Sequence, residues 1–198
     1  MLEFICERID DYMKTTYELE VAGLKRELQL FPINDKLQIA AFIMFGDVEL
    51  TCKCAEELLK IAPEHDIMIT AEAKSIPLIY EMARQSGENN YIIARKGLKV
   101  YMKNPLEVCV NSITTQHQQH LYIGEDEVNM IKGKKILLVD DVISTGESLS
   151  ALVDLVEKAG GNIVGKMAVL AEGDAIERKD ITVLKPLPLF DADGNPLA

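Results

Sequence analysis

The fold is decided by residues 136–148, Ile-Leu-Leu-Val-Asp-Asp-Val-Ile-Ser-Thr-Gly-Glu-Ser. The four leading apolar residues predict a buried strand that ends on two adjacent acids, Asp140 and Asp141. A hydroxyl- and glycine-rich turn follows and leads into a predicted helix over residues 149–159. This order is typical of a phosphate-binding site, because the free N–H groups of a helix N-terminus and the helix dipole favour an anion.

The turn and the acids predict different parts of one ligand. Gly146 lets the backbone approach a phosphate closely. The two acids would repel a bare phosphate, but their oxygens accept hydrogen bonds from hydroxyl groups such as a ribose diol. Together they predict a phosphorylated ribose. The turn is neither a Walker A loop nor a G-x-G-x-x-G dinucleotide fingerprint. The predicted phosphate contacts are Ser144, Thr145, Gly146, Glu147 and Ser148.

These residues resemble the phosphoribosyl-pyrophosphate (PRPP) signature of the type I phosphoribosyltransferases. That signature reads as four apolar residues, two acids, two apolar residues and a Ser/Thr/Gly-rich turn. The resemblance implies an enzyme that transfers the 5-phosphoribosyl group from PRPP to a base and releases pyrophosphate. It implies that Asp140 and Asp141 are the catalytic acids, which hold the ribose hydroxyls. It also implies a Mg²⁺ cofactor, held mainly by PRPP, with the same two acids as candidate ligands.

Two further segments are predicted to bind pyrophosphate. Ala73, Lys74 and Ser75 lie between a predicted strand and a predicted helix, where family members hold pyrophosphate with backbone N–H groups, often across a non-proline cis peptide. Ser75 stands where many members have glycine. Arg95 and Lys96 directly follow the predicted strand at residues 90–94. Adjacent cations at a strand end suit pyrophosphate, and the pair resembles the purine-using members.

The polar stretch around residues 112–120 matches the position of the family's flexible catalytic loop. We expect it to fold over the site and exclude water from the reactive ribosyl centre. The loop residues expected to do so are Thr114, Thr115, Gln116 and His117. His117 and His120 have no further ligands near them in sequence and do not predict a zinc site.

The chain resembles the purine branch of the family through residues 72–74, Arg95-Lys96 and the run at residues 171–178. Ser144 stands where many hypoxanthine-guanine enzymes place Asp, which favours adenine as the substrate. Hypoxanthine/guanine and xanthine phosphoribosyltransferases are the alternatives. The predicted base contacts are Phe31, Glu172 and Phe190.

A non-catalytic PRPP-sensing regulator is the alternative from another class. Such a protein adds a basic DNA-binding element. The N-terminal segment is instead acidic, with Asp10, Asp11, Glu18 and Glu20. The enzyme is therefore the favoured interpretation.

Alternating helical and strand patterns predict an α/β fold: an open, mostly parallel sheet with helices on both faces. We expect one domain over residues 1–198. An N-terminal helix over residues 2–29 is predicted, and with residues 30–45 and 185–198 it would form a small hood lobe. Residues 106–112 and 120–123 are predicted to be the arms of a flexible β-hairpin.

Composition agrees with a cytoplasmic enzyme. Apolar residues make up 48% and charged residues 27% of the 198 residues, as in ordinary globular proteins. The net charge of −11 argues against nucleic acid as a partner. No apolar run reaches the roughly 18 residues needed to span a bilayer, so no membrane association is expected. The four cysteines are interpreted as reduced thiols. The family resemblance implies a homodimer.

Overall fold

The computed structural model describes residues 14–110 and 119–197. Its strands are β1 (Thr16–Val21), β2 (Leu24–Asn34), β3 (Leu37–Ala40), β4 (Ile67–Ala71), β5 (Ile92–Ala94), β6 (Leu106–Val110), β7 (Gln119–Ile123), β8 (Lys135–Ile143), β9 (Asn162–Glu172) and β10 (Thr182–Leu187). Its helices are α1 (Val48–Ile61), α2 (Ile76–Ser86), α3 (Glu125–Ile131) and α4 (Glu147–Lys158), with a 3₁₀ turn at Gly173–Glu177.

The central sheet has five parallel strands in the order β10-β9-β8-β4-β5. From β4 the chain moves outward to β5, whereas from β8 it moves the other way, to β9 and β10. Neighbouring strands β4 and β8 therefore flank the point where the winding reverses. Ligands of open α/β sheets bind beyond the carboxyl ends of the strands at this point. The predicted α/β fold class is confirmed.

Strand β8 lies at the centre of the core and is buried on both faces. Leu137 and Val139 pack into the cluster that includes α1 and α2, whereas Ile136 and Leu138 pack into the cluster that includes α4. The alternation follows from the pleat of a strand, whose successive side chains point to opposite faces. β8 extends past the acids to Ile143 by pairing with β9, so it is longer than the strand predicted to end at residue 140.

The predicted N-terminal helix is wrong over its described part. Residues 14–34 instead form the antiparallel hairpin β1–β2. The hairpin turns at Ala22 and Gly23, both with positive φ (52° and 75°), as a two-residue hairpin turn requires. Leu19 and Val21 are buried in alternation with exposed neighbours. Residues 1–13 lie outside the described residues.

The hood lobe is formed by β1–β3 together with residues 188–197. Gln38 of β3 exchanges backbone hydrogen bonds with Phe190 at 2.8 and 3.0 Å. Its side-chain amide donates to the carbonyls of Asp191 and Ala192. These bonds attach the C-terminal segment to the N-terminal hairpin sheet.

The predicted hairpin is present as β6–β7, with the register Leu106↔Ile123 to Val110↔Gln119. An isolated bridge between Arg95 and Tyr122 joins it to the end of β5. The predicted loop residues Thr114, Thr115, Gln116 and His117 lie outside the described residues. Within residues 14–110 and 119–197, none of the helices combines the length and apolar character needed to cross a bilayer.

Candidate active site

The acid pair, Asp140 and Asp141, lies at the carboxyl end of β8 beside the loop between β4 and α2. This loop, residues 71–75, is called the pyrophosphate loop below. Oδ1 of Asp140 accepts hydrogen bonds from the Ser75 hydroxyl at 2.5 Å and from the Asp141 N–H at 2.9 Å. Oδ2 of Asp141 is buried without a hydrogen-bond partner and lies 3.6 Å from Nζ of Lys74. The Asp141 carboxylate therefore has an oxygen left for a ligand.

Burial, followed by the adjacent charge of Asp141, raises the pKa of Asp140 to about 7, although the Ser75 hydroxyl and the Asp141 N–H oppose this rise. Desolvation and a like charge both disfavour an ionised carboxyl. Without a ligand, burial and the charge of Asp141 therefore shift Asp140 toward its protonated form. A cation or a hydroxyl donor at the pair would favour the ionised form.

The phosphate cradle, residues 144–148, opens helix α4. Gly146 is the N-cap with φ 79°, and its carbonyl accepts the Ser150 N–H at 2.8 Å. A small recess of about 50 Å³ is lined by Asp140 and residues 142–149. The N–H groups of a first helical turn have no carbonyl partners within the helix, so an anion in this recess would meet backbone donors, and phosphate binding at residues 144–148 stays a prediction.

Arg178 packs against the cradle from the segment that follows the 3₁₀ turn. A Cβ built on Gly146 would lie 2.5 Å from Nη1 of Arg178. Nε and Nη2 of the same guanidinium donate to Asp180 at 2.9 and 2.8 Å. The positive φ of Gly146 favours glycine at this position, and the close approach of Arg178 places a cation beside the cradle.

The pyrophosphate loop and the acid pair enclose a second cavity of about 220 Å³. It is lined by residues 71–75, Lys96, the acid pair, Val142, Ser144 and Ser148. The loop contains a cis peptide between Glu72 and Ala73. The structure thus brings Ala73, Lys74, Ser75 and Lys96 together with both acids and the cradle.

Arg95 does not line this cavity, because Glu72 holds it at the side of the loop. Oε2 of Glu72 lies 3.2 Å from Nε of Arg95, and it accepts the backbone N–H of Lys96 at 3.1 Å. The buried Nε of Arg95 makes no hydrogen bond despite the short distance, so this contact is an ion pair only. The backbone N–H of Glu72 donates to Ala94 at 2.9 Å. Glu72 therefore connects the two predicted pyrophosphate-binding segments.

A third cavity, called the base cavity below, measures about 390 Å³ and adjoins the cradle at Ser144 and Thr145. Its remaining lining consists of Ile33, Leu37, Ile39, Glu172, Gly173, Asp174 and Leu189. Burial raises the pKa of Glu172, and the charge of Lys74 opposes this rise. Within the described residues, the Glu172 carboxylate forms no hydrogen bond or ion pair. Glu172 thus lines this cavity, and its contact with a base stays a prediction.

The two predicted phenylalanines are not in the base cavity. Phe190 is 0% exposed and packs edge-to-face on Tyr17 at 5.0 Å, which removes it from the candidates for base contact. Phe31 is 53% exposed and lies outside the lining. It pairs with Ile39 across the β2–β3 ladder, so both side chains share one face of the hood lobe. Aliphatic side chains of the hood lobe occupy the place expected for a phenylalanine.

Three polar residues at the site were given no such role by the sequence. Ser75 was expected only as a pyrophosphate contact, yet it bonds to the acid pair. Glu72 and Arg178 were quoted only as parts of resembling runs. The contacts that give them these roles join residues 23 to 66 positions apart in sequence and are set by the fold, so the local pattern carries little signal for them.

Comparison with known proteins gives the family. A family model, that of the phosphoribosyl transferase domain, matches residues 52–193. The chain belongs to this family. The predicted family and enzyme class are confirmed, and the matched range of this phosphoribosyltransferase includes the pyrophosphate loop, the acid pair, the cradle and Glu172.

The similar phosphoribosyltransferases fall into two groups. The hypoxanthine/guanine phosphoribosyltransferase of Methanocaldococcus vulcanius is 31% identical over 172 residues, which cover 84% of this chain and 86% of that one. The adenine phosphoribosyltransferase of Thermotoga maritima is 35% identical over 114 residues, covering 58% and 62%. Neither comparison decides the base that this chain uses.

Solved structures agree on the fold. The adenine phosphoribosyltransferase of Saccharomyces cerevisiae superposes with a TM-score of 0.63 at 17% identity, covering 93% of this chain and 98% of that one. The enzyme from Thermoanaerobacter pseudethanolicus gives 0.62 at 20% identity, with 91% and 99% covered. At this level of identity the likeness shows the fold alone.

Proposed function

We propose that the protein transfers the 5-phosphoribosyl group of PRPP to a purine base and releases pyrophosphate, as in purine salvage. The observation that carries this proposal is the contact of three cavities at one residue. Ser144 lines the cradle, the cavity of the pyrophosphate loop and the base cavity. The cradle matches the 5′-phosphate of PRPP. The acid pair and the cations beside it match the ribose diol and the pyrophosphate, and the apolar cavity matches a base.

Positioning and electrostatics account for the reaction without a nucleophilic side chain. The 5′-phosphate binds the N–H groups and hydroxyls of residues 144–148, and the acid pair accepts the ribose hydroxyls. The bond from C1′ to the pyrophosphate oxygen breaks with its electron pair leaving on oxygen, which gives an oxocarbenium-like centre of the kind found in glycoside hydrolysis. A base nitrogen then forms the new bond to C1′ and loses its proton to solvent. Holding both reactants in line supplies most of the rate.

The acid pair fits Mg²⁺. Oδ2 of Asp141 is buried and has no hydrogen-bond partner, and Mg²⁺ prefers carboxylate oxygens, water and substrate phosphates as ligands. Over the described residues no cluster of three or more His, Cys, Asp or Glu side chains could hold a metal, so PRPP and water would complete the coordination. When bound, Mg²⁺ neutralises charge on the departing pyrophosphate. Asp141 and Asp140 are the residues that would hold it.

For the base, we propose adenine first and hypoxanthine or guanine second. In the described lining of the base cavity the charged side chains are Glu172 and Asp174, with no basic residue. A carboxylate accepts hydrogen bonds, so the cavity favours a neutral base with N–H donors and disfavours the carboxylate of orotate. Glu172 can accept from the amino group of adenine. Hypoxanthine and guanine are kept because the Methanocaldococcus relative covers 84% of the chain.

The test is release of pyrophosphate from PRPP with adenine, hypoxanthine, guanine, xanthine, orotate and uracil, each with Mg²⁺ and with excess chelator. We expect release with a purine and none in chelator. Binding of PRPP without turnover on any base would instead identify a PRPP-sensing regulator. If orotate or uracil is used at least about tenfold better than every purine, the purine assignment is wrong.

A further inference from the structure

Ser75 is the last residue of the pyrophosphate loop and the residue before helix α2. It is 1% exposed, and its carbonyl accepts the Ile79 N–H at 3.0 Å, which attaches it to the first turn of the helix. Its side chain makes no capping bond to that helix. The hydroxyl turns toward β8 instead, where it meets the acid pair.

The hydroxyl of Ser75 bonds to both members of the acid pair. It donates its only proton to Oδ1 of Asp140 at 2.5 Å, and at 3.2 Å it shares the backbone N–H of Asp141, whose shorter bond of 2.9 Å goes to Oδ1 of Asp140. Oδ1 of Asp141 lies 3.3 Å away, but a hydroxyl has one proton to donate. Oδ1 of Asp140 therefore holds two donors, and Oδ2 is the oxygen that these bonds leave for a ligand.

We propose that Ser75 is a positioning residue that fixes the orientation of the ribose-binding acids from the pyrophosphate loop. This inference rests on the proposed function. The loop contributes to the cavity for the pyrophosphate half of PRPP, while the partners of Ser75 hold the ribose half. One side chain thus joins the two halves at the point where the C1′ bond must break. Glycine at this position would leave the two halves connected only through the sheet.

The variant Ser75→Ala removes the hydroxyl and keeps a backbone compatible with the start of a helix. Because hydrogen bonds to charged groups are among the stronger ones, we expect the KM for PRPP to rise about tenfold. Binding of the nucleoside monophosphate product, which contains the ribose 5-phosphate but no pyrophosphate, should weaken by a similar factor. The KM for the base and the binding of inorganic pyrophosphate should stay near the wild-type values. Ser75→Thr, which retains a hydroxyl, should restore nucleotide binding.

The matched control is Ser86→Ala at the other end of α2, where the hydroxyl donates to the Met82 carbonyl at 3.0 Å. It should leave all four constants unchanged. Thermal unfolding shows whether Ser75→Ala folds. If it does not, Ser75→Gly, which also lacks the hydroxyl, is measured in its place.

Two results would overturn the inference. One is nucleotide binding by Ser75→Ala within about twofold of wild type, well below the loss of a charged hydrogen bond. The other is a loss confined to pyrophosphate binding, which would show that the residue shapes only the loop. Nucleotide binding is measured without turnover, so these results are distinct from failure of the proposed function, in which the wild-type protein releases no pyrophosphate with any purine.

Discussion

At the scale of single residues, Thr145 lies where the phosphate cradle meets the base cavity. Its hydroxyl is exposed, and its contact with the Glu147 N–H is long, at 3.5 Å. It is therefore available to donate to a 5′-phosphate. We expect Thr145→Ala to weaken nucleoside monophosphate binding by about 1.5–3 kcal/mol, the range for hydrogen bonds to charged groups. Calorimetry against Ser150→Ala, an exposed serine one helical turn further on, gives the comparison, and equal affinity in both variants would contradict the role of Thr145.

The second prediction concerns how the unfolding free energy depends on pH through Asp140. Its pKa of about 7 lies above the ordinary 3.8, so between these values the folded protein holds a proton that the unfolded chain releases. Stability contributed by the neutral carboxyl is therefore complete below about pH 4 and is lost as the pH rises toward 7. Asp140→Asn stays neutral and keeps the acceptor for Ser75. In chelator and without ligand, the unfolding free energy of Asp140→Asn minus that of the wild type should increase by a few kcal/mol between pH 4 and pH 7. Above pH 7 this difference should stay constant.

The same substitution, combined with Asp141→Asn, should abolish most of the turnover because the ribose hydroxyls, and any Mg²⁺ at the pair, lose their charged acceptors. The two predicted effects therefore have opposite signs: Asp140→Asn raises the unfolding free energy at neutral pH, whereas replacing both acids lowers turnover. Chemical denaturation from pH 4 to 8 measures the first, and pyrophosphate release measures the second. A stability difference that does not change with pH would show that Asp140 ionises normally.

At the scale of elements, the ends of β4 and β5 are joined by Glu72. Removing this carboxylate leaves Arg95 Nε buried without a counter-charge and the Lys96 N–H without its acceptor. Both unpaired groups destabilise the segments proposed to bind pyrophosphate. We expect Glu72→Ala to raise the KM for PRPP and the inhibition constant of pyrophosphate together by about tenfold. Glu72→Gln, which keeps an acceptor for Lys96, should lose less.

Glu64→Gln is the control for this pair. Glu64 pairs with Lys135 at 3.0 Å at the opposite end of β4. A rise in the KM for the base alone, with unchanged inhibition by pyrophosphate, would contradict the role of Glu72.

How far the sequence predicts an element depends on where its contacts lie. The buried strand β8 is predicted by its own apolar run, because a strand buried on both faces must be apolar throughout. The hairpin β1–β2 is not, because Leu24 and Leu28 fit a helical spacing as well as a strand. Its extended form is stabilised by bonds to remote residues, such as Lys14 N–H to the Asp193 carbonyl at 3.1 Å. The candidate site divides in the same way: the cradle and acid pair are contiguous in sequence, whereas the roles of Glu72, Ser75 and Arg178 depend on tertiary contacts.

At the scale of the whole molecule, one apolar surface is a candidate for contact with a second copy. It surrounds a groove of about 210 Å³ between α1 and α2, whose lining includes Val48 and Tyr80, both more than half exposed. Exposed apolar side chains grouped on a surface are typical of interaction sites. We expect a homodimer in solution and its dissociation by Val48→Asp, whose wild-type side chain is 73% exposed. Sedimentation velocity measures both, with Lys53→Ala on the polar face of α1 as the control. A monomeric wild type, or a Val48→Asp dimer as stable as wild type, would contradict this assignment.

The ion pairs around the site affect how the affinity for PRPP depends on ionic strength. Three cations at the site have acidic partners before any ligand binds: Lys74 faces Asp141, Arg95 faces Glu72 and Arg178 faces Asp180. The fourth cation at the site, the Lys96 side chain, has no such partner in the part of the chain that the structure describes. A polyphosphate that binds here must share these cations with their acidic partners or displace those partners. Added salt weakens the ion pairs that the polyphosphate breaks as well as the ion pairs that it forms. PRPP affinity should therefore fall less steeply with salt than its charge suggests.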